Sequence, residues 1–213
     1  MRGLAWWLAP LVMLGLAGTA GAADPKQENL FGTIRVDGKK IGQVHYTVSY
    51  DENGEVEELR TNASYTVLGF EVYHFNQSLH ETWQTGELQL MDGTTNDDGS
   101  KYDGTLKRTS DQYDCVLNDK GLTLPHDAFP NSVWHYQITE QNLLFNLTDF
   151  KLMKVQVAEK QEKVKIDGKT IDTARFDFTG DWKASLWFDQ DRRIVKFEYQ
   201  VDGHDVIVTL DQT

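Results

Sequence analysis

Asp-Gly pairs that separate stretches of β-forming residues constrain the fold of this 213-residue chain more than any other feature. They occur at Asp37-Gly38, Asp167-Gly168 and Asp202-Gly203. Asp and Gly tolerate the positive φ angles of a two-residue turn whose twist matches its flanking strands, so each pair predicts a β-hairpin. Three further turn signals rich in Asn, Asp and Gly stand at 51–54, 96–99 and 118–121. The sequence therefore predicts a series of antiparallel hairpins.

Apolar and polar residues alternate between 44 and 50, which is typical of a strand with one buried and one solvated face. Similar runs occupy 63–68, 70–83, 87–95, 101–117, 151–160, 171–179, 184–189 and 193–201. Roughly a dozen strands result, and a twisted sheet of that size curls instead of staying flat. We predict an all-β, mainly antiparallel fold, in which consecutive hairpins build a strongly curved sheet, half-barrel or barrel.

A stretch near 130–146 breaks the alternation and predicts one short helical or irregular insertion. A helix could begin near Thr139, with Thr139 as its N-cap and Asn142 three residues later. In an all-β chain, such an insertion is either a lid or plug at one mouth of the barrel or a plain connection between two halves. Both alternatives are compatible with the sequence.

The N-terminus has the pattern of a secretory signal peptide. Arg2 precedes an apolar run from Leu4 to Ala17, and small residues then supply an Ala-x-Ala cleavage site ending at Ala22. The run is shorter than the ~20 apolar residues of a transmembrane helix, so a membrane anchor is the weaker alternative. We predict a signal peptide at 1–22 and a single soluble β-rich domain at 23–213.

The net charge excludes some classes of partner, and the cysteine content excludes a disulfide framework. The chain has 33 acidic and 21 basic residues, a net charge of −12, which argues against binding to nucleic acid or to anionic membranes. Its single cysteine, Cys115, excludes an internal disulfide. Cys115 alternates onto the same side as Tyr113 and Leu117, so we predict a buried structural thiol.

Catalytic motifs are missing from the sequence. We find no nucleophile elbow, zinc-ligand pattern or phosphate-binding glycine loop, and we predict no catalytic residue, cofactor or metal site. The segment 94–99 superficially resembles a calcium loop, but it lacks the acidic residues at the ligand positions and predicts a hairpin turn.

The strand predicted at 70–83 has an unusual inner face. Tyr73, Phe75 and Trp83 share one face with Glu81, because side chains alternate across a pleated strand. A carboxylate on an apolar face must find a partner or turn to water. We predict that Arg175 or Arg193 pairs with Glu81.

An ordered series of short motifs over about residues 30–210 resembles a family of exported bacterial proteins catalogued as a domain of unknown function. The motifs are Gly69-Phe70, Val72-Tyr73, Glu81-x-Trp83-x-x-Gly86-x-Leu88, Thr95 with Asp98-Gly99, Pro130-x-Ser132-x-Trp134, Leu143-Leu144, Gly168 and Leu186-Trp187-Phe188-Asp189. The resemblance implies a periplasmic β-rich protein, similar in outline to envelope proteins whose curved sheet wraps around a helix. It implies no established activity.

We therefore predict a periplasmic protein that binds a hydrophobic or amphipathic small molecule in an aromatic groove. Its predicted ligand-binding residues are Tyr73, Phe75, Glu81, Trp83, Ser132, Trp134, Trp187 and Asp189, with Phe176 and Phe178 adding to the groove. One alternative is a hydrolase that uses Glu81 or Asp189 with His80 or His135. Others are a structural role in envelope assembly and an ordinary apolar core. The oligomeric state is not predicted.

The signal-peptide prediction is tested at the N-terminus of the exported protein. We expect N-terminal sequencing of the mature chain to begin at Ala23 or within one or two residues of it. Recovery of the full-length chain in the membrane fraction would contradict cleavage.

Overall fold

The computed structural model describes residues 26–51, 54–201 and 203–211. The predicted signal peptide lies outside these residues. The strands are β1 (Lys26–Val36), β2 (Lys39–Asp51), β3 (Gly54–Val67), β4 (Phe70–Gln84), β5 (Glu87–Asp97), β6 (Ser100–Arg108), β7 (Gln112–Leu117), β8 (Lys120–Pro125), β9 (Phe129–Pro130), β10 (Leu143–Phe145), β11 (Leu152–Ile166), β12 (Lys169–Gly180), β13 (Ala184–Phe188), β14 (Ile194–Val201) and β15 (His204–Leu210).

The predicted two-residue turns are present. Asp37 and Gly38 have φ angles of 48° and 80°, and Asp167 and Gly168 have 50° and 82°, as a twisted hairpin requires. Asp202 lies outside the described residues. Leu68-Gly69 and Thr85-Gly86 form further turns of this shape, with φ of 51° and 53° at their first residues. Leu and Thr lack the turn chemistry of Asp or Asn, which is why the sequence did not predict these two turns.

All fifteen strands belong to one sheet, in the order β8-β7-β6-β5-β4-β3-β2-β1-β15-β14-β13-β12-β11-β10-β9. Every pairing is antiparallel except the short β9–β10 contact. The two edge strands, β8 and β9, are joined by residues 126–128 alone, and the Ala128 N–H donates to the Pro125 carbonyl at 3.1 Å. The sheet therefore curls until its edges share a corner, without a ladder that closes it. This confirms the predicted all-β, strongly curved architecture.

The insertion between β9 and β10 packs inside the curved sheet. It contains a 3₁₀ helix, Tyr136–Glu140, whose Ile138 is fully buried. The Tyr136 ring packs edge-on against Phe176 and Phe188 from β12 and β13. The expected N-cap at Thr139 is wrong: Thr139 lies within this helix, where its hydroxyl donates to the Tyr136 carbonyl at 2.8 Å. The segment is a plug in the interior, not a plain connection across the surface.

Two smaller observations complete the fold. Cys115 is a buried free thiol, as predicted, and burial raises its pKa to about 12. Within the described ranges, we find no helix long and apolar enough to span a bilayer.

Candidate functional site

The interior of the sheet contains an open cavity of about 800 Å³. Its floor is the inner face of the β3–β4 pair, where Ala63 lies opposite Phe75 and Tyr65 lies opposite Tyr73. Phe197 of β14 and the plug complete its wall. This volume falls within the ~300–1,000 Å³ typical of small-molecule sites. The cavity is therefore large enough to hold a ligand of lipid or drug size.

Trp134 is a residue of the plug and forms part of the cavity wall. Its ring stacks on Tyr46 of β2, with centroids 4.3 Å apart and planes 9° apart, and meets Phe197 edge-on at 6.1 Å. Trp134 remains half-buried because part of the ring faces the cavity. The ring therefore lies over the aromatic face of the sheet.

Several polar groups face this otherwise apolar space. The Tyr73 hydroxyl donates to Asp97 Oδ1 at 2.9 Å, and the Gln77 amide donates to the hydroxyl of Thr148 at 3.0 Å. Ser132 also lines the cavity, and its buried hydroxyl has no hydrogen-bond partner among the described residues. Leaving a buried hydroxyl without a partner costs free energy.

Two predicted ligand-binding residues lie away from the cavity. Trp187 packs on the outer face of the sheet, where Arg175 and Lys196 lie over its ring at 4.6 Å and 4.1 Å. Asp189 shapes the turn after β13, because its Oδ1 accepts the backbone N–H of Asp191 and of Arg193 at 2.9 Å each. Phe176 and Phe178 face inward but belong to the packed core around the plug. The cavity thus brings together Tyr73, Phe75, Ser132 and Trp134.

Glu81 and Trp83 lie deeper in the interior, next to the cavity floor. On β3 and β4, Leu59 and Leu79 line the cavity, and the next inward-facing pair along these strands is Glu57 opposite Glu81. Two residues along a strand advance it by ~6.8 Å. Glu57 is 1% exposed and Glu81 is 2% exposed. Two carboxylates therefore face each other in the buried interior.

The plug adds His135 to this carboxylate pair. His135 Nε2 lies 2.8 Å from Glu57 Oε1, and its ring stacks on Trp83 with centroids 3.7 Å apart. The Trp83 indole N–H donates to Glu81 Oε2 at 3.0 Å. Glu57, Glu81 and His135 form one group whose donor atoms all lie within 4.8 Å of one another, close enough to hold a metal ion.

The predicted arginine partners of Glu81 are wrong. Arg175 pairs with Glu162 and Asp177 on the outer face, and Arg193 is exposed in the turn after β13. Among the described residues, no Lys or Arg forms an ion pair with Glu57 or Glu81. Alternation along β12 explains this result, because Phe176 and Phe178 point inward and Arg175 therefore points away from the interior.

Burial dominates the electrostatics of the cluster. It raises the pKa of Glu57 to about 7, an effect that neighbouring hydrogen-bonding groups partly offset. It raises the pKa of Glu81 to about 8, and the adjacent Glu57 charge adds to this shift. Burial also lowers the pKa of His135, which favours the neutral imidazole. The cluster therefore holds protons on its carboxyl groups at a pH where ordinary carboxyl groups are ionised.

Glu57 is the residue that sequence reasoning missed. It stands in Glu55-Val56-Glu57-Glu58, a run that has the composition of a solvated surface. Glu57 could have been found only from its position opposite Glu81, and that position follows from the pairing register of β3 and β4. His80 lies on the outer face, where it pairs with Asp92 at 3.3 Å, so it does not meet Glu81.

With this geometry established, comparison with known proteins identifies the family. A family model described as "Domain of unknown function (DUF6134)" matches residues 33–211. The chain belongs to this family. The match confirms the resemblance inferred from the short motifs. No curated protein matches the chain.

One solved structure has a similar fold across nearly the whole molecule. It is the crystal structure of a β-barrel-like protein of domain of unknown function DUF1849 from Brucella abortus, with a TM-score of 0.60. The similarity covers 89% of this chain and 96% of that chain, at 11% sequence identity. At this identity, the two proteins share a fold, and the comparison carries no function across.

The raised pKa of Glu81 gives a testable pH dependence. A folded-state pKa above the unfolded value of 4.5 contributes stability that is complete below pH 4.5 and is lost as pH rises through about 8. Glu81→Gln retains an acceptor for Trp83 and removes the charge. In urea unfolding without divalent ions, we expect this variant to be more stable than the wild type by less than about 1 kcal/mol at pH 5, and this difference to grow by about 1–3 kcal/mol at pH 9.

The control is Glu58→Gln, which changes an exposed carboxylate on the opposite face of the same sheet. It should leave the difference between pH 5 and pH 9 unaltered. A Glu81→Gln variant that is less stable than the wild type at pH 9 would show that Glu81 has a favourable charged partner.

Proposed function

We propose that this protein is a periplasmic carrier or sensor that binds a hydrophobic or amphipathic small molecule in the cavity between the curved sheet and the plug. The observation that carries the proposal is the open cavity of about 800 Å³ with an aromatic and aliphatic wall. An ordinary core excludes such space, because protein interiors are close-packed. The volume therefore favours a binding site over a structural core.

The polar groups in the cavity favour an amphipathic ligand. Tyr73, Phe75 and Phe197 offer apolar contacts, whereas Gln77 and Thr148 offer polar groups. A few polar groups within an apolar wall are the arrangement that orients small molecules in proteins. The ligand's apolar part would lie against the aromatic rings, and its polar group would lie beside the hydrogen-bonded Gln77 and Thr148 side chains in the cavity wall.

Exposed apolar side chains beside the cavity support the same function. The β3–β4 hairpin contributes Tyr65, Val72 and Tyr73 to the cavity wall, and its turn carries Leu68 at 94% exposure and Phe70 at 75%. Water disfavours such a concentration of apolar surface unless a ligand or partner covers it at some stage. These residues would guide an apolar molecule into the interior.

Export to the periplasm is the second part of the proposal. It rests on the signal-peptide pattern at 1–22 and on the resemblance to exported bacterial proteins. In that compartment, a small protein with an internal apolar cavity would shield its ligand from water. The net charge of −12 favours a neutral or cationic polar group on that ligand.

Filling the cavity tests the binding function without removing any existing contact. Ala63 lines the cavity opposite Phe75, and Ala63→Trp would place an indole in that space. With a fluorescent fatty alcohol as the probe, which carries no charge, we expect this variant to stay folded and to bind at least about tenfold more weakly, a loss of about 1.4 kcal/mol.

Asn62→Trp is the matched control, because Asn62 is the preceding residue and is exposed on the opposite face. It should bind the probe as the wild type does. Equal affinity for all three proteins, or no binding by the wild type, would contradict a ligand site in this cavity.

A further inference from the structure

We propose that Glu57, Glu81 and His135 form a binding site for a divalent transition-metal ion of the Zn²⁺ type. This site is separate from the cavity and does not depend on the function proposed for it. Two strands supply the carboxylates in register, and the plug supplies the imidazole. A bound ion would fasten the plug to the inner face of the sheet.

Burial is the first argument for an ion. Glu57, Glu81 and His135 are 1%, 2% and 8% exposed. Like charges directly opposite each other on neighbouring strands are destabilising, and charges in an interior require compensation. In the described part of the chain, no Lys or Arg supplies it. A divalent cation would neutralise the two carboxylates without any other change in the fold.

Unused bonding capacity is the second and independent argument. Among the described residues, no hydrogen bond of good geometry reaches either carboxylate oxygen of Glu57 or Nε2 of His135, although hydrogen-bonding groups of Tyr46 and Trp83 lie near Glu57. The 2.8 Å separation of His135 Nε2 from Glu57 Oε1 lacks the alignment of a hydrogen bond. One ligand atom each from Glu57, Glu81 and His135 therefore lies within 4.8 Å of the other two in the interior. Small side-chain rotations would bring them to the ~2.0–2.2 Å bonds of a zinc ion.

The surrounding residues would hold these ligands in place. The Trp83 indole N–H donates to Glu81 Oε2, which leaves the other oxygen of that carboxylate available. The same ring stacks on His135 and restricts the imidazole. Outer contacts of this kind orient metal ligands in known sites. Trp83 is therefore a positioning residue in this proposal.

The donor set selects the class of metal. One imidazole nitrogen with two carboxylate oxygens suits Zn²⁺ and related transition ions, whereas Mg²⁺ and Ca²⁺ favour oxygen ligands throughout. Without a thiolate, the site does not suit Cu⁺.

The test refolds the mature protein from urea with either Zn²⁺ or a chelator, because the buried site would be slow to load in the folded state. We expect one tightly bound Zn²⁺ per chain by elemental analysis after desalting. We also expect a melting temperature that rises with Zn²⁺ concentration, since an ion that binds only the folded state stabilises it. Mg²⁺ and Ca²⁺ at the same concentrations should shift it far less.

Three variants connect the ion to these residues. Glu57→Gln/Glu81→Gln removes both charges and keeps the side-chain shapes, so it should fold and lose at least about 100-fold in Zn²⁺ affinity. Trp83→Phe keeps a ring against His135 and removes the indole N–H, with an expected loss of about 10–100-fold. The control, His80→Asn/Asp92→Asn, removes an exposed His–Asp pair and should leave the affinity unchanged.

Two results would overturn the proposal. One is wild-type protein that refolds without bound Zn²⁺ and melts at the same temperature with or without it, which would leave the cluster a proton-sharing group only. The other is equal Zn²⁺ binding by the wild type and the Glu57→Gln/Glu81→Gln variant.

Discussion

The need to fill the inside of a curled sheet governs this structure. Fifteen strands in one twisted sheet cannot stay flat, and their inward side chains face a space that the sheet does not fill by itself. The plug, which is the insertion between β9 and β10, fills part of this space, and its Ile138 and Tyr136 pack against the inner face. Where the plug reaches the sheet, there is a dense core. Where it does not, the cavity remains.

The plug also contributes to both the cavity and the buried carboxylate cluster. Trp134 and His135 are adjacent in sequence, yet the first borders the cavity and the second meets the buried carboxylates. Both rings stack on aromatic side chains of the sheet, Tyr46 and Trp83. One short segment thus separates an open, mostly apolar cavity from a buried cluster of ionisable groups. A ligand bound in the cavity and an ion bound at the cluster would therefore both contact the plug and affect its position.

The sequence predicted much of the fold because local chemistry determined it. Asp37-Gly38 and Asp167-Gly168 formed the expected turns, and alternation placed Phe75 and Glu81 on the inner face of β4. The Leu68-Gly69 turn was missed because its first residue, Leu68, is not a residue type typical of turns. Strands are defined by nearby residues, so they can be predicted from a sequence segment alone.

The site was less predictable because strand register and the path of the plug assemble it. Ser132 and Trp134 were identified from a motif, whereas Glu57 was hidden in an acidic run. Trp187 misled the sequence analysis because β13 is buried on both faces, with Leu186 inside and Trp187 outside. Contacts between distant segments cannot be obtained from alternation within one segment.

The central claim, that the interior is a binding site, is tested most directly by native mass spectrometry of the protein purified from its own host. We predict a fraction with an added mass of a lipid-like small molecule that organic solvent releases. A bound metal ion would add a mass far smaller than this. A protein that carries no organic adduct, and takes none up from a lipid extract of the host envelope, would contradict the claim.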